Sequence, residues 1–172
     1  MTAESAAGGG FSFTPGTFLP NGLGRTAVIH TPHGDIRTPA FIAVGTKATV
    51  KAVLPESVAG LGAQAVLANA YHLFLQPGSD IVDAAGGLGA FMNWPGPTFT
   101  DSGGFQVMSL GVGFKKVLAM DATGLVDDDV IAEGKNRLAQ VDDDGVTFTS
   151  HLNGDRHRFT PEVSMRIQHE LG

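Results

Sequence analysis

The apolar residues of this chain come in short runs, and glycine and proline punctuate the stretches between them. With 24 glycines and 9 prolines in 172 residues, regular elements must be brief and turns numerous. The clearest run is Ala65 to Ala68 (AVLA), four residues that suit a strand covered on both faces. Thr26 to Thr31 (TAVIHT), the turn cluster Pro32-His33-Gly34-Asp35 and Ala40 to Val44 (AFIAV) read together as a hairpin or two neighbouring strands. Phe11 and Phe13 mark a short strand before them, and Pro97 to Thr100 (PTFT) marks another. Gly145 to His151 (GVTFTSH) alternates as a strand should, and Asn153-Gly154 after it is a strong hairpin-turn signal. Helices are predicted to start at Pro55-Glu56-Ser57, at Ser79-Asp80 and at Thr160-Pro161-Glu162, the last capped by Thr160. The first ends at Gly60 or Gly62, the second at Gly86-Gly87, and the third carries Val163, Ile167 and Leu171 at helical spacing. Strands alternating with helices predict an α/β protein with a mainly parallel sheet, three or four core strands and some antiparallel decorations.

Composition narrows the class. Apolar residues make up 42% and charged residues 16%, enough to bury a core and too apolar for a disordered chain. The absence of cysteine excludes a disulfide framework, a thiolate zinc site and a cysteine nucleophile within these residues. No apolar run approaches the roughly 20 residues that span a bilayer, so a soluble cytoplasmic protein with no membrane partner is expected. Residues 1–10 are small and polar and read as a disordered leader. The net charge of −6 is local: residues 121–144 hold eight acids and two bases, and the rest of the chain is neutral. That segment reads as a solvated acidic insertion, beginning near residue 115. A nucleic-acid partner is not excluded by this balance, although no basic stripe argues for one.

The stretch with most chemical content is Thr98 to Leu110, TFTDSGGFQVMSL. Asp101 follows a predicted parallel strand, and strand C-termini form the ligand rim of α/β folds. Gly103 and Gly104 let backbone approach a ligand closely, and Phe105 offers a flat apolar face. An acid, bare backbone and an aromatic ring suit a planar heterocycle. The competing reading is ordinary turn chemistry, with the Asp bonding its own backbone. Ser102 lacks the Gly-x-Ser-x-Gly elbow of a serine nucleophile. Gly86-Gly87-Leu88-Gly89 follows no predicted strand, which argues against a dinucleotide fingerprint. The histidines at 30, 33, 72, 151, 157 and 169 show no metal-ligand spacing, and the basic run Arg156-His157-Arg158 is a weak phosphate signal.

Four ordered stretches converge on one family: TPAFIAVGTKATVKAV (38–53), LANAYHLFLQPG (67–78), GGLGAFMNWPGPTFTDSGGFQVMSL (86–110) and GVTFTSHLNGDRHRFTPEVSMRIQHELG (145–172). They resemble the N-terminal part of tRNA-guanine transglycosylase of bacterial type, also called queuine tRNA-ribosyltransferase. The resemblance covers residues 11–172 apart from the acidic insertion. It implies a (β/α)8 TIM-barrel family fold, of which this chain holds only the N-terminal part, since a closed barrel takes about 250 residues. It implies a pentosyltransferase that exchanges guanine at the anticodon wobble position of tRNA for the queuine precursor preQ1, through a covalent enzyme–ribose intermediate. By the same resemblance Asp101 is the proton acceptor that recognises the base, and Asp101, Ser102, Gly103, Gly104 and Phe105 form the substrate-binding stretch, with Phe105 stacking on the base. Gln106 receives no role. The nucleophilic aspartate and the zinc ligands of the family, three cysteines and a histidine, match nothing in this chain. Zinc is therefore expected only in a full-length member, as is a homodimer. These 172 residues alone are expected to be inactive in exchange. A non-catalytic base- or tRNA-binding subunit of the same fold is the alternative.

Overall fold

The computed structural model describes residues 10–106 and 139–172. Residues 1–9 of the leader, residues 107–110 of the distinctive motif and most of the acidic segment lie outside the described residues.

Among the described residues, three small sheets and five helices make up a mixed α/β arrangement. The first sheet is an antiparallel meander of β1 (Ser12–Phe18), β2 (Arg25–Thr31) and β3 (Gly34–Thr38). This corrects the expected pairing. The partner of β2 is Gly34–Thr38, in register Ile29 to Ile36, and not the apolar run 40–44. The segment GDIRT has a single apolar residue and so leaves no run to read. The tight turn at Pro32-His33 decides the pairing, and burial of Ile36 to 1% exposure secures the inner face.

The second sheet is parallel: β4 (Ala43–Val44), β5 (Val66–Ala68) and β6 (Thr98–Thr100), with β5 in the centre. Among the described residues it is the only parallel sheet, so the chain is less dominated by parallel pairing than expected. Its two faces differ. Ala43, Val66 and Ala68 are buried on the inner face. Val44, Leu67 and Phe99 stand in register on the other, where Val44 is 55% and Phe99 38% exposed. The AVLA run is thus covered on one face, not on both.

The inner face meets helices α1 (Pro55–Gly60), α2 (Ala70–Leu75), α3 (Ser79–Ala84), α4 (Gly87–Phe91) and α5 (Pro161–Leu171) through one core cluster. Helix α5 presents Ile167 and Leu171, one turn apart and fully buried, to α2, α3 and α4. Burying each such side chain stabilises by about 1.5–3 kcal/mol. Thr160 caps α5 by accepting from the Val163 N–H at 3.3 Å, and Pro161 occupies the first turn. Trp94 closes the base of the core, its indole N–H donating to the Pro97 carbonyl at 3.0 Å.

The third sheet, β7 (Ala139–Asp142), β8 (Gly145–Thr149) and β9 (Arg156–Phe159), is antiparallel. Val146 and Phe148 alternate inward from β8, as the sequence pattern predicts, and Asn153-Gly154 lies in the turn to β9. The last residues of the acidic segment belong to this sheet: Ala139 is buried, and Asp142 accepts two bonds of 2.6 Å from Arg158.

Candidate functional site

The three parallel strands run the same way, so their C-terminal ends form one rim. Strand β4 leads there into Thr46, β5 into Asn69 and β6 into Asp101. The rim is stitched together by Gly45 N–H to the Leu67 carbonyl (2.7 Å) and Asn69 N–H to the Thr46 carbonyl (3.2 Å).

Asp101 is half-buried and its carboxylate is held from three sides. The Asn69 amide donates to Oδ2 at 2.7 Å, the Ala70 backbone N–H to Oδ1 at 2.8 Å, and the Gln106 amide to Oδ2 at 3.4 Å. Ala70 is the first residue of α2, and Asn69, its N-cap by position, makes no side-chain cap bond. Asp101 supplies that missing acceptor from 31 residues away, with its negative charge at the positive end of the helix. The expected turn chemistry is therefore replaced by a tertiary one. An ionised carboxylate offers about four lone-pair positions, and three donors leave acceptor capacity toward the rim.

The residues after Asp101 divide by role. Ser102 makes the local turn bond, its hydroxyl accepting from the Gly104 N–H at 3.2 Å. That N–H is thus engaged within the loop. Gly103 is buried at φ +72, and a Cβ there would lie 3.1 Å from Tyr71 Cβ and 3.3 Å from Phe159 Cζ. Its close approach is to the protein's own aromatic core. Phe105 is 66% exposed beside the rim.

Below the rim lies an aromatic layer. Tyr71 stacks on His151 (centroids 6.4 Å, 19°), meets Phe148 at 5.4 Å and contacts His72 edge-on. The Tyr71 hydroxyl is buried and has no hydrogen-bond partner among the described residues, and burial raises its pKa. His72 is pushed below the ordinary imidazole range, first by burial and then by Lys47 and His151, against an opposing pull from Asp101. His30 lies between Thr14 (2.9 Å) and Asp35 (2.8 Å) across the first sheet. Of the basic run, Arg158 is committed to Asp142 and His157 packs against Phe74 and Phe148.

Sequence reasoning missed Asn69 and the Ala70 N–H. The signal was available: Asn69 directly follows the apolar run 65–68, just as Asp101 directly follows β6. No cluster of three or more His, Cys, Asp or Glu suited to a metal occurs among the described residues, and no helix among them is long and apolar enough to cross a membrane.

A protein-family profile described as queuine tRNA-ribosyltransferase matches residues 21–172. The queuine tRNA-ribosyltransferase of Granulibacter bethesdensis is 50% identical over 151 residues, 88% of this chain and 33% of that protein. That of Ruegeria sp. (strain TM1040) is 50% identical over 152 residues, 88% of this chain and 34% of that protein. That of Rickettsia felis is 49% identical over 148 residues, 86% of this chain and 34% of that protein. The chain spans about a third of the length of these curated relatives.

Proposed function

The chain belongs to the queuine tRNA-ribosyltransferase family, and on that premise we propose that it supplies the base-recognition rim of an enzyme exchanging guanine in the tRNA anticodon for preQ1. The observation that carries this reading is the Asp101 carboxylate, fixed at a parallel-strand C-terminus by Asn69 and Ala70 with acceptor capacity to spare. A purine-like base presents ring N–H and amino donors along one edge, which a carboxylate accepts. In the return half of an exchange the incoming base must shed a ring proton as its nitrogen attacks the ribose carbon. A carboxylate in hydrogen-bond reach takes that proton and leaves the nitrogen more nucleophilic. Exposed Phe105 beside it gives the base a stacking surface, and the nucleotide must be splayed out of the anticodon loop to reach both.

In this reading β4, β5 and β6 are the first three strands of a (β/α)8 barrel. Their helix-covered face would be the outside, and Val44, Leu67 and Phe99 would point inward. The zinc that the family resemblance implies would take three thiolate ligands, and the chain has no cysteine to supply them.

The test is incorporation of labelled guanine and preQ1 into tRNA by the complete gene product that carries these residues. Incorporation of both is expected. Failure to incorporate either base, by a folded product, would overturn the proposal.

A further inference from the structure

We propose that Ser164 and Gln168, on helix α5, are positioning residues that set the backbone on both sides of Asp101; this rests on the reading of Asp101 as the base acceptor. Sheet hydrogen bonding ends at Thr100, the last residue of β6, and β6 has a strand on one side only among the described residues. Asp101 would then hang from a sheet edge followed by a glycine loop. Helix α5 closes this gap with two hydrogen bonds. The Thr100 hydroxyl donates to Gln168 Oε1 at 3.2 Å, and the Ser164 hydroxyl donates to the Ser102 carbonyl at 2.8 Å. Gln168 Nε2 donates to Ser164 Oγ at 3.3 Å and joins the two anchors. The residue before Asp101 and the residue after it are thus tied to consecutive turns of one helix.

Three features mark this bracket as directed. A serine inside a helix commonly turns its hydroxyl back to the carbonyl four residues earlier. Ser164, only 7% exposed, instead gives its one proton to Ser102, across a sequence separation of 62 residues. Both ends of the Gln168 amide are used, acceptor to Thr100 and donor to Ser164; flipping it would set Oε1 against the Ser164 oxygen, whose proton is already given to Ser102, so the Ser164 contact fixes the orientation. The helix itself is immobilised by fully buried Ile167 and Leu171, so the bracket is anchored to the core. Displacing a reacting group by about 1 Å costs on the order of a hundredfold in rate, which makes the register of this backbone consequential.

The experiment compares wild type, Ser164→Ala, Gln168→Leu, Asp101→Asn and the Ser164→Ala/Asp101→Asn double variant of the complete gene product. The readouts are steady-state base exchange, preQ1 affinity by calorimetry and the thermal midpoint. Ser164→Ala is expected to raise the KM for preQ1 about tenfold, a fraction of the 1 Å penalty, with the KM for tRNA unchanged and the thermal midpoint lowered only by the few degrees that loss of one buried hydrogen bond costs. Gln168→Leu should act in the same direction. In the Asp101→Asn background Ser164→Ala should cost no further preQ1 affinity, because its effect passes through Asp101. An unchanged KM for preQ1 in both single variants, or an equal further loss in the Asp101→Asn background, would overturn the proposal. If Asp101→Asn itself changes neither affinity nor exchange, it is the base-acceptor reading that fails.

Discussion

Replacing Gly103 with alanine tests whether the loop after Asp101 is shaped by the core beneath it. At φ +72 a residue with a Cβ costs about 1–2 kcal/mol. The new methyl would stand 3.1 Å from Tyr71 Cβ, 3.3 Å from Phe159 Cζ and 3.4 Å from the Tyr71 backbone nitrogen. Both aromatic residues are buried, at 2% and 4% exposure, and neither can swing away into solvent. Such overpacking adds about 1–2 kcal/mol. Against this, alanine restricts the unfolded chain and returns about 0.4–1 kcal/mol. The net loss expected is about 2–3 kcal/mol. With a urea slope of about 1–3 kcal/mol per molar, the unfolding midpoint followed by circular dichroism should fall by about 1 M or more. Gly104 is the internal control. Its φ is not in the left-handed region, and a Cβ there would meet only the Ser102 hydroxyl, at 3.3 Å. Gly104→Ala should stay within about 0.5 kcal/mol of wild type. Equal costs for the two substitutions would refute the argument that Gly103 is fixed by backbone conformation and by the packing of Tyr71 and Phe159.

Other outcomes follow from the same geometry. Phe105→Ala should weaken base binding by about 1–3 kcal/mol, the worth of one base–aromatic stack, without moving the thermal midpoint; calorimetric titration with preQ1 checks it. Thr160→Ala should lower stability by about 1 kcal/mol through loss of the α5 cap, read from urea unfolding. The Asp142 carboxyl is held down to about 2 by the Arg158 guanidinium and by backbone N–H groups of Asp144 and Gly145. A carboxyl depressed in the folded state stabilises above its unfolded value of 3.8 and loses that contribution as pH falls toward about 2. The stability difference between wild type and Asp142→Asn should therefore shrink as pH is lowered through that window; a difference independent of pH would contradict the pairing.

How far the sequence revealed this structure depended on whether the deciding force was local. Strand β5 was legible because Ala65 to Ala68 is an uninterrupted apolar run, and α5 because Thr160, Pro161 and the spacing of Val163, Ile167 and Leu171 agree. Helix α2 was not. Asn69 stands at its N-cap but makes no side-chain cap bond, and the helix's first N–H is satisfied by Asp101, a partner from beyond another strand. Helix α4, with two glycines in Gly87–Phe91, has poor intrinsic propensity and depends on burial of Leu88. Strand β7 was hidden in the acidic segment, where one buried residue, Ala139, gives no period to read. The site divides the same way. Asp101 stood out by its position after a strand, whereas the two short bonds that orient it, from Asn69 and Ala70, and the α5 bracket behind it span 31 to 68 positions of sequence.

The most direct test of the central claim is exchange of labelled guanine into tRNA by the complete gene product carrying Asp101→Asn, beside wild type at matched folding. Asparagine keeps the shape and an acceptor oxygen but cannot take a proton at neutral pH. Loss of exchange is expected, with an intact circular dichroism spectrum and a cooperative thermal transition lowered only by the weakened α2 cap. Near-normal turnover by the folded variant would remove Asp101 from the chemistry and leave it as the cap of α2.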